Sequence, residues 1–233
     1  MVETGGGGGD DGEDRTVVAV DPHRAGDIIC RVPRDAAWEA APDLPPAVPA
    51  GFIAPSYWAT TDAASEKKGW YLKLAIKLLY ERSLRPPKSD KNLAHEEGGV
   101  GVCGLGGKWG PYLEILPKNI DTLAHFSDRE LAELQNARLV RQIRDEQAWL
   151  QTSHSELNKY LSKQSTVSLK EWQWALDCVR SRTFKVKDRY CMCPLMDLFN
   201  HNSASRTSKM SWDDTLKCYQ LSAGLPAAPG VLT

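Results

Sequence analysis

No apolar run in these 233 residues approaches the ~18–20 residues that a helical membrane span requires, so a membrane-embedded chain is not expected. A surplus of one charge is also missing: 29 Lys and Arg stand against 30 Asp and Glu. A polyanionic partner such as nucleic acid therefore finds no bulk electrostatic support. The opening stretch from Met1 to Asp14 contains no basic residue. It thus has neither the charged-then-apolar layout of a secretory signal nor the arginine-rich character of a transit peptide. The reading is an intracellular chain, with cytoplasm, nucleus and plastid undistinguished. Its six cysteines (Cys30, Cys103, Cys178, Cys191, Cys193 and Cys218) form no dense framework, and free thiols are expected.

What is present is the material of a globular fold. With 42% hydrophobic and 25% charged residues, the chain can bury a real core. The exception is residues 1–15, glycine-rich and acidic, which read as a disordered tail. Thr16–Val20 and Asp27–Pro33 are short β-branched or apolar segments joined by a Pro/Gly turn, and read as two strands. Five of the fourteen prolines fall between Ala40 and Pro55, marking a loop. From Glu66 the period changes: Trp70, Leu74 and Leu78 recur every four residues, with Lys73, Lys77 and Glu81 on the opposite face. An amphipathic helix that stops before Pro86-Pro87 is expected there, followed by a long exposed polar loop over 88–110. Two capping boxes, Ser127-x-x-Glu130 and Ser168-x-x-Glu171, announce further helices. The first leads into one or two helices ending near Leu161. In the second, Trp172, Ala175, Leu176 and Val179 share a face. Trp172, Trp174 and Phe184 read as core.

The chemistry-bearing segment follows that last helix. Arg180-Ser181-Arg182-Thr183-Phe184 closes it, and an extended segment leads to Cys193-Pro194-Leu195-Met196-Asp197-Leu198-Phe199-Asn200-His201-Asn202. This order resembles the signature of SET-domain protein methyltransferases, in the branch that includes the Rubisco large-subunit lysine methyltransferase. Weaker matches accompany it: Gly26-Asp27-Ile28-Ile29 through Pro33, Trp109-x-x-Tyr112-Leu113-x-x-Leu116-Pro117, and Trp174-Ala175 through Phe184. Together they cover about residues 16–202.

The resemblance implies an α+β fold: a split, β-rich SET domain interrupted by a large helical insertion. The expected divisions are 16–66 for the first β part, 67–182 for the insert, 183–221 for an incomplete second β part and 222–233 for a disordered tail. It implies S-adenosylmethionine as cofactor and a protein substrate carrying the acceptor lysine. Asn200 and His201 would hold the cofactor, with Ser181, Arg182 and Asp197 lining the same pocket and Arg182 suited to a carboxylate.

The chain departs from the family in two places. Gly12-Glu13-Asp14-Arg15 stands where a glycine-rich cofactor loop is usual. After Asn200-His201 the later strands and the catalytic tyrosine of the family are missing, since Tyr219 follows too closely to fill that role. A C-terminally truncated methyltransferase of impaired activity is the expectation. A helical interaction module without activity and a histidine-directed methyltransferase are the alternatives.

Three other patterns carry less. Gly99-Val100-Gly101-Val102-Cys103-Gly104 spells a dinucleotide fingerprint but lacks the flanking strand and helix. Cys191-x-Cys193 lacks a second close pair for zinc. The run Arg180, Arg182, Lys185, Lys187, Arg189 reads as a solvated hairpin rather than a nucleic-acid patch.

Overall fold

The computed structural model describes residues 18–19, 24–41, 43–84, 108–199, 208–224 and 230–231. The chain divides into two compact units: Met1–Ala41 with Arg182–Thr233, and Pro42–Ser181. The strands thus come from both ends of the sequence and the helices from its middle. The helical unit starts well before residue 67, taking in the proline-rich segment.

In the helical unit, α1 spans Gly69–Ser83. The expected polar face survives only in part: Lys73 and Lys77 stay half-buried, while Glu81 is drawn inside. Leu72, Leu74, Ala75, Ile76 and Leu78 are all essentially inaccessible, and Glu81 is buried too. Lys77 ion-pairs with Glu81 one turn on, so the carboxylate enters the interior neutralised. A helix this widely buried, with only a half-exposed stripe through Lys73 and Lys77, packs at the centre of its unit. It starts at a glycine for a steric reason: a Cβ on Gly69 would lie 2.5 Å from the carbonyl oxygen of Ala63.

The helix α2 covers Gly110–Ile115 with Pro111 in its first turn, where a missing N–H costs nothing. It begins inside the stretch expected to be loop, of which 88–107 lies outside the described residues, as does the glycine fingerprint at 99–104. The first capping box forms in full. Ser127 accepts from the amide of Glu130, whose carboxylate accepts from the Ser127 amide, and α3 spans Asp128–Glu133. Gln135 at φ 48 breaks the chain direction, and the Asn136 side chain caps α4, Ala137–Tyr160. Its buried positions Ile143, Leu150 and Leu157 recur every seven residues, one narrow stripe. The second box, Ser168 with Glu171, starts α5, Leu169–Arg182. Trp172, Ala175, Leu176 and Val179 are fully buried, each large side chain contributing about 1.5–3 kcal/mol. The Trp172 indole donates to Ser153 Oγ at 3.0 Å, so its buried N–H stays satisfied.

In the strand unit, β1 (Val18–Ala19) pairs with β8 (Gly230–Val231). β2 (Ile28–Pro33) pairs with β7 (Cys218–Ala223), which also pairs with β6 (Ser208–Asp213). β3 (Trp38–Ala40) and β4 (Thr183–Val186) flank β5 (Arg189–Met192). All these pairings are antiparallel. The first two strands exist as expected, yet they do not pair with each other: β2 takes its partner from the far end of the chain. β7 runs past the boundary expected at 221, and Gly230–Val231 is strand within the stretch expected to be a tail.

One core cluster joins the layers, with Val32, Val186, Cys191, Cys193, Met196, Tyr219 and Leu221 all buried. The β4–β5 and β6–β7 hairpins turn through Lys187 at φ 57 and Lys217 at φ 51. Lysine has no intrinsic reason to adopt this left-handed conformation, which costs about 1–3 kcal/mol in side-chain-bearing residues.

Candidate functional site

The signature segment leaves β5 through a turn built from its own backbone. The amide of Asp197 donates to the Cys193 carbonyl, that of Leu198 to Leu195 and that of Phe199 to Met196. Entry to this turn is strained: Leu195 sits at φ 73 and ψ −44, close to the rare γ-turn conformation. The bend sends Met196 fully into the core while Leu195 stays exposed.

The same bend turns Asp197 toward Arg182, the residue at which α5 gives way to β4. Arg182 Nη1 donates to Asp197 Oδ2 at 3.1 Å and to the Asp197 carbonyl at 3.2 Å. The Asp197 side chain is 0% exposed and that of Arg182 18%. This is a buried, doubly anchored ion pair, and it stiffens the turn directly before Asn200 and His201. Those two residues lie outside the described ones. The Nε of Arg182 and the hydroxyl of Thr183 are buried with no hydrogen-bond partner among the described residues. An orphaned guanidinium N–H beside the turn is a donor left for a polar ligand.

Ser181, last residue of the helical unit, uses its hydroxyl on its own helix, donating to the carbonyls of Asp177 (2.7 Å) and Cys178 (3.2 Å). It retains lone pairs to accept with. Asp177 is itself buried, and Nε2 of His125 lies 2.9 Å from its carboxylate. Burial pushes its pKa above the ordinary carboxylate value, with the His125 hydrogen bond pulling the other way.

The sequence reading missed a second polar centre in the strand unit. Glu39 sits in β3 opposite Cys191, its side chain 8% exposed. Its carboxylate accepts from the Tyr219 hydroxyl at 2.7 Å, from Arg189 Nη1 at 3.1 Å, and from Nε and Nη2 of Arg34. The Tyr219 hydroxyl is therefore committed to a structural bond within the strand unit. Burial raises its pKa, and the neighbouring Cys191 and Glu39 act in the same direction. The Cys193 thiol is pushed up too, by its hydrogen bond with Cys191 and then by burial. Raised thiols of this kind are inert packing groups. The available signal was Glu39 alone, a charge between buried Trp38 and Ala40, which alternation merely points to the other face of its strand.

Comparison of the fold with solved structures now decides its type. The SET domain of LSMT, in a crystal structure bound to lysine and AdoHcy, superposes with a TM-score of 0.63 at 20% identity. The match covers 93% of this chain and 45% of that one. The fold is that of a SET domain.

Sequence relatives agree. The chain is 29% identical over 114 residues to the chloroplastic [fructose-bisphosphate aldolase]-lysine N-methyltransferase of Arabidopsis thaliana. It is 26% identical over 108 residues to the chloroplastic ribulose-1,5-bisphosphate carboxylase/oxygenase large subunit N-methyltransferase of Nicotiana tabacum. These matches take in 45% and 43% of this chain, and only 23% and 22% of the relatives. The chain thus spans a minor part of the length of the curated relatives it matches. No family model matches it. Among the described residues no helix is long and apolar enough to cross a membrane.

Proposed function

We propose that this SET domain serves S-adenosylmethionine-dependent methylation of a lysine on a protein substrate. The observation that carries the reading is the buried Arg182–Asp197 pair, set at the head of the Asn200-His201 dipeptide on a SET fold.

Arg182 supplies a positive charge and a spare N–H to a carboxylate, with Asp197 fixing its orientation. By the family resemblance Asn200 and His201, which lie outside the described residues, would hold the cofactor. Ser181 is the remaining residue that the resemblance assigns to cofactor binding, and its hydroxyl keeps lone pairs to accept with. Bound there, S-adenosylmethionine supplies a methyl group on a sulfonium. The protein's work is then alignment and exclusion of water. A lysine must be presented neutral, which at pH 7 costs about 4–5 kcal/mol against its ordinary pKa. An apolar channel reduces that cost by desolvation. No described tyrosine is assigned to this task, because Tyr219 is held by Glu39.

Calorimetric titration of the full chain with S-adenosylmethionine and with its product tests the proposal. Micromolar binding that is lost in Asn200→Ala supports it. Absence of binding overturns it and favours the non-enzymatic interaction module. Where binding occurs, transfer of radiolabelled methyl to aldolase or to the Rubisco large subunit, the proteins named for its relatives, is the first substrate assay.

A further inference from the structure

In the strand unit, three connections converge on a cavity of about 270 Å³ that Asp197 and Arg182 do not line. They are the turn after β2, the β4–β5 tip and the β6–β7 tip. They bring four basic side chains to one opening: Arg34, Lys187, Arg189 and Lys217. The acidic residues lining it are Glu39, Asp188 and Asp214, so the lining is net positive by one. We propose that this cavity is a binding site for an oxyanion, either a phosphorylated or a carboxylate side chain of a polypeptide.

Glu39 forms the floor and is saturated. Two guanidinium groups and the Tyr219 hydroxyl already occupy its oxygens, leaving no acceptor to attract a cation. Asp214 is engaged at the rim, accepting from Lys187 Nζ at 3.0 Å and from the Trp212 indole at 2.9 Å. Those two contacts, with the nearby charge of Lys217, hold its carboxyl below the usual range. The Lys187–Asp214 pair is exposed, 60% and 71%, and water screens it. An arriving anion can therefore take its place on Lys187. The floor cannot be exchanged in the same way, and so gives the site a fixed wall.

The second observation is backbone conformation. Lys187 and Lys217 occupy the left-handed region at the tips of separate hairpins, where glycine or asparagine is favoured. Two lysines held in unfavourable backbone at the mouth of one cavity make a charge arrangement that turn formation alone does not require.

The same residues provide a clean test. Lys187→Gly with Lys217→Gly removes both charges and relieves both backbone positions, so thermal unfolding of the full chain should not fall. Binding is measured by calorimetry at low salt with three probes: inorganic phosphate, a phosphoserine peptide and a glutamate-rich peptide of equal length. The expected result is saturable binding of at least one peptide. It weakens with added salt and falls at least tenfold in the double-glycine chain. Binding of the phosphoserine peptide alone identifies phosphate as the source, and binding of both peptides identifies carboxylate. Absence of binding by all three probes overturns the proposal, as does undiminished binding by the double-glycine chain. Preferential binding of a nucleic acid at the same residues overturns the polypeptide source.

Discussion

Removing Asp197 from its pair with Arg182 leaves the guanidinium charged, largely buried and without its carboxylate. Asp197 is wholly inaccessible and Arg182 18% exposed, so solvent rescues the surviving arginine only in part. Breaking such a pair costs about 3–5 kcal/mol. For a chain of this length each kcal/mol lowers the unfolding midpoint by ~2–4 °C, so Asp197→Ala should lower it by about 6–20 °C. Replacing both residues, as Arg182→Met with Asp197→Leu, removes the stranded charge and should restore most of that loss. The double variant should nevertheless lose affinity for S-adenosylmethionine, because the donor and the stiffened turn go together. Urea unfolding of the four chains gives the coupling energy, and calorimetry gives the cofactor affinity. Additive single effects, within ~0.5 kcal/mol, would refute the reasoning, as would a double variant that binds cofactor normally.

Three further outcomes are expected. Leu195→Gly removes the penalty at φ 73 and sacrifices little burial, since Leu195 is 55% exposed; the unfolding midpoint should hold or rise, and a clear drop would contradict strain at this turn. Gly69→Ala forces a Cβ against the Ala63 carbonyl and should cost about 1–3 kcal/mol by denaturant unfolding, despite the better helix propensity of alanine. Asp177 has a folded pKa above its unfolded one, so the folded state binds more protons between the two values and stability falls as pH rises through the folded pKa. Asp177→Asn lacks this loss, and the wild-type minus variant difference should therefore shrink as pH climbs from 3 to 7; a difference that grows would show the opposite sign.

Local punctuation was the most legible part of the fold. Ser127 with Glu130 and Ser168 with Glu171 are reciprocal hydrogen-bonding pairs whose partners lie three residues apart, so their geometry depends on nothing distant. The split of strands to the ends and helices to the middle was readable for a similar reason, as each segment announces its own period. Pairing was not. β2 reaches across the chain to β7 rather than to its neighbour, and strand partners are chosen by cross-strand packing that a single segment does not encode. The polar stripe assigned to α1 loses Glu81 to the interior because Lys77 neutralises it, which lets a charged position enter a core that periodicity alone would forbid it.

The candidate site divides along the same line. Arg182 and Asp197 stand fifteen residues apart and meet only because β4 and β5 form a hairpin and Leu195 then bends the chain back. Each residue was picked out by resemblance, but their partnership changes what they do. An arginine read as a ligand for a carboxylate already carries an internal one, and among the described residues only its Nε–H is left without an acceptor. Glu39 went unnoticed for the opposite reason. Its partners Tyr219, Arg189 and Arg34 come from three different elements, and nothing local in Trp38-Glu39-Ala40 marks a charge destined for burial. Short-range chemistry can thus be read from the string, whereas a buried charge becomes intelligible only with the groups that neutralise it.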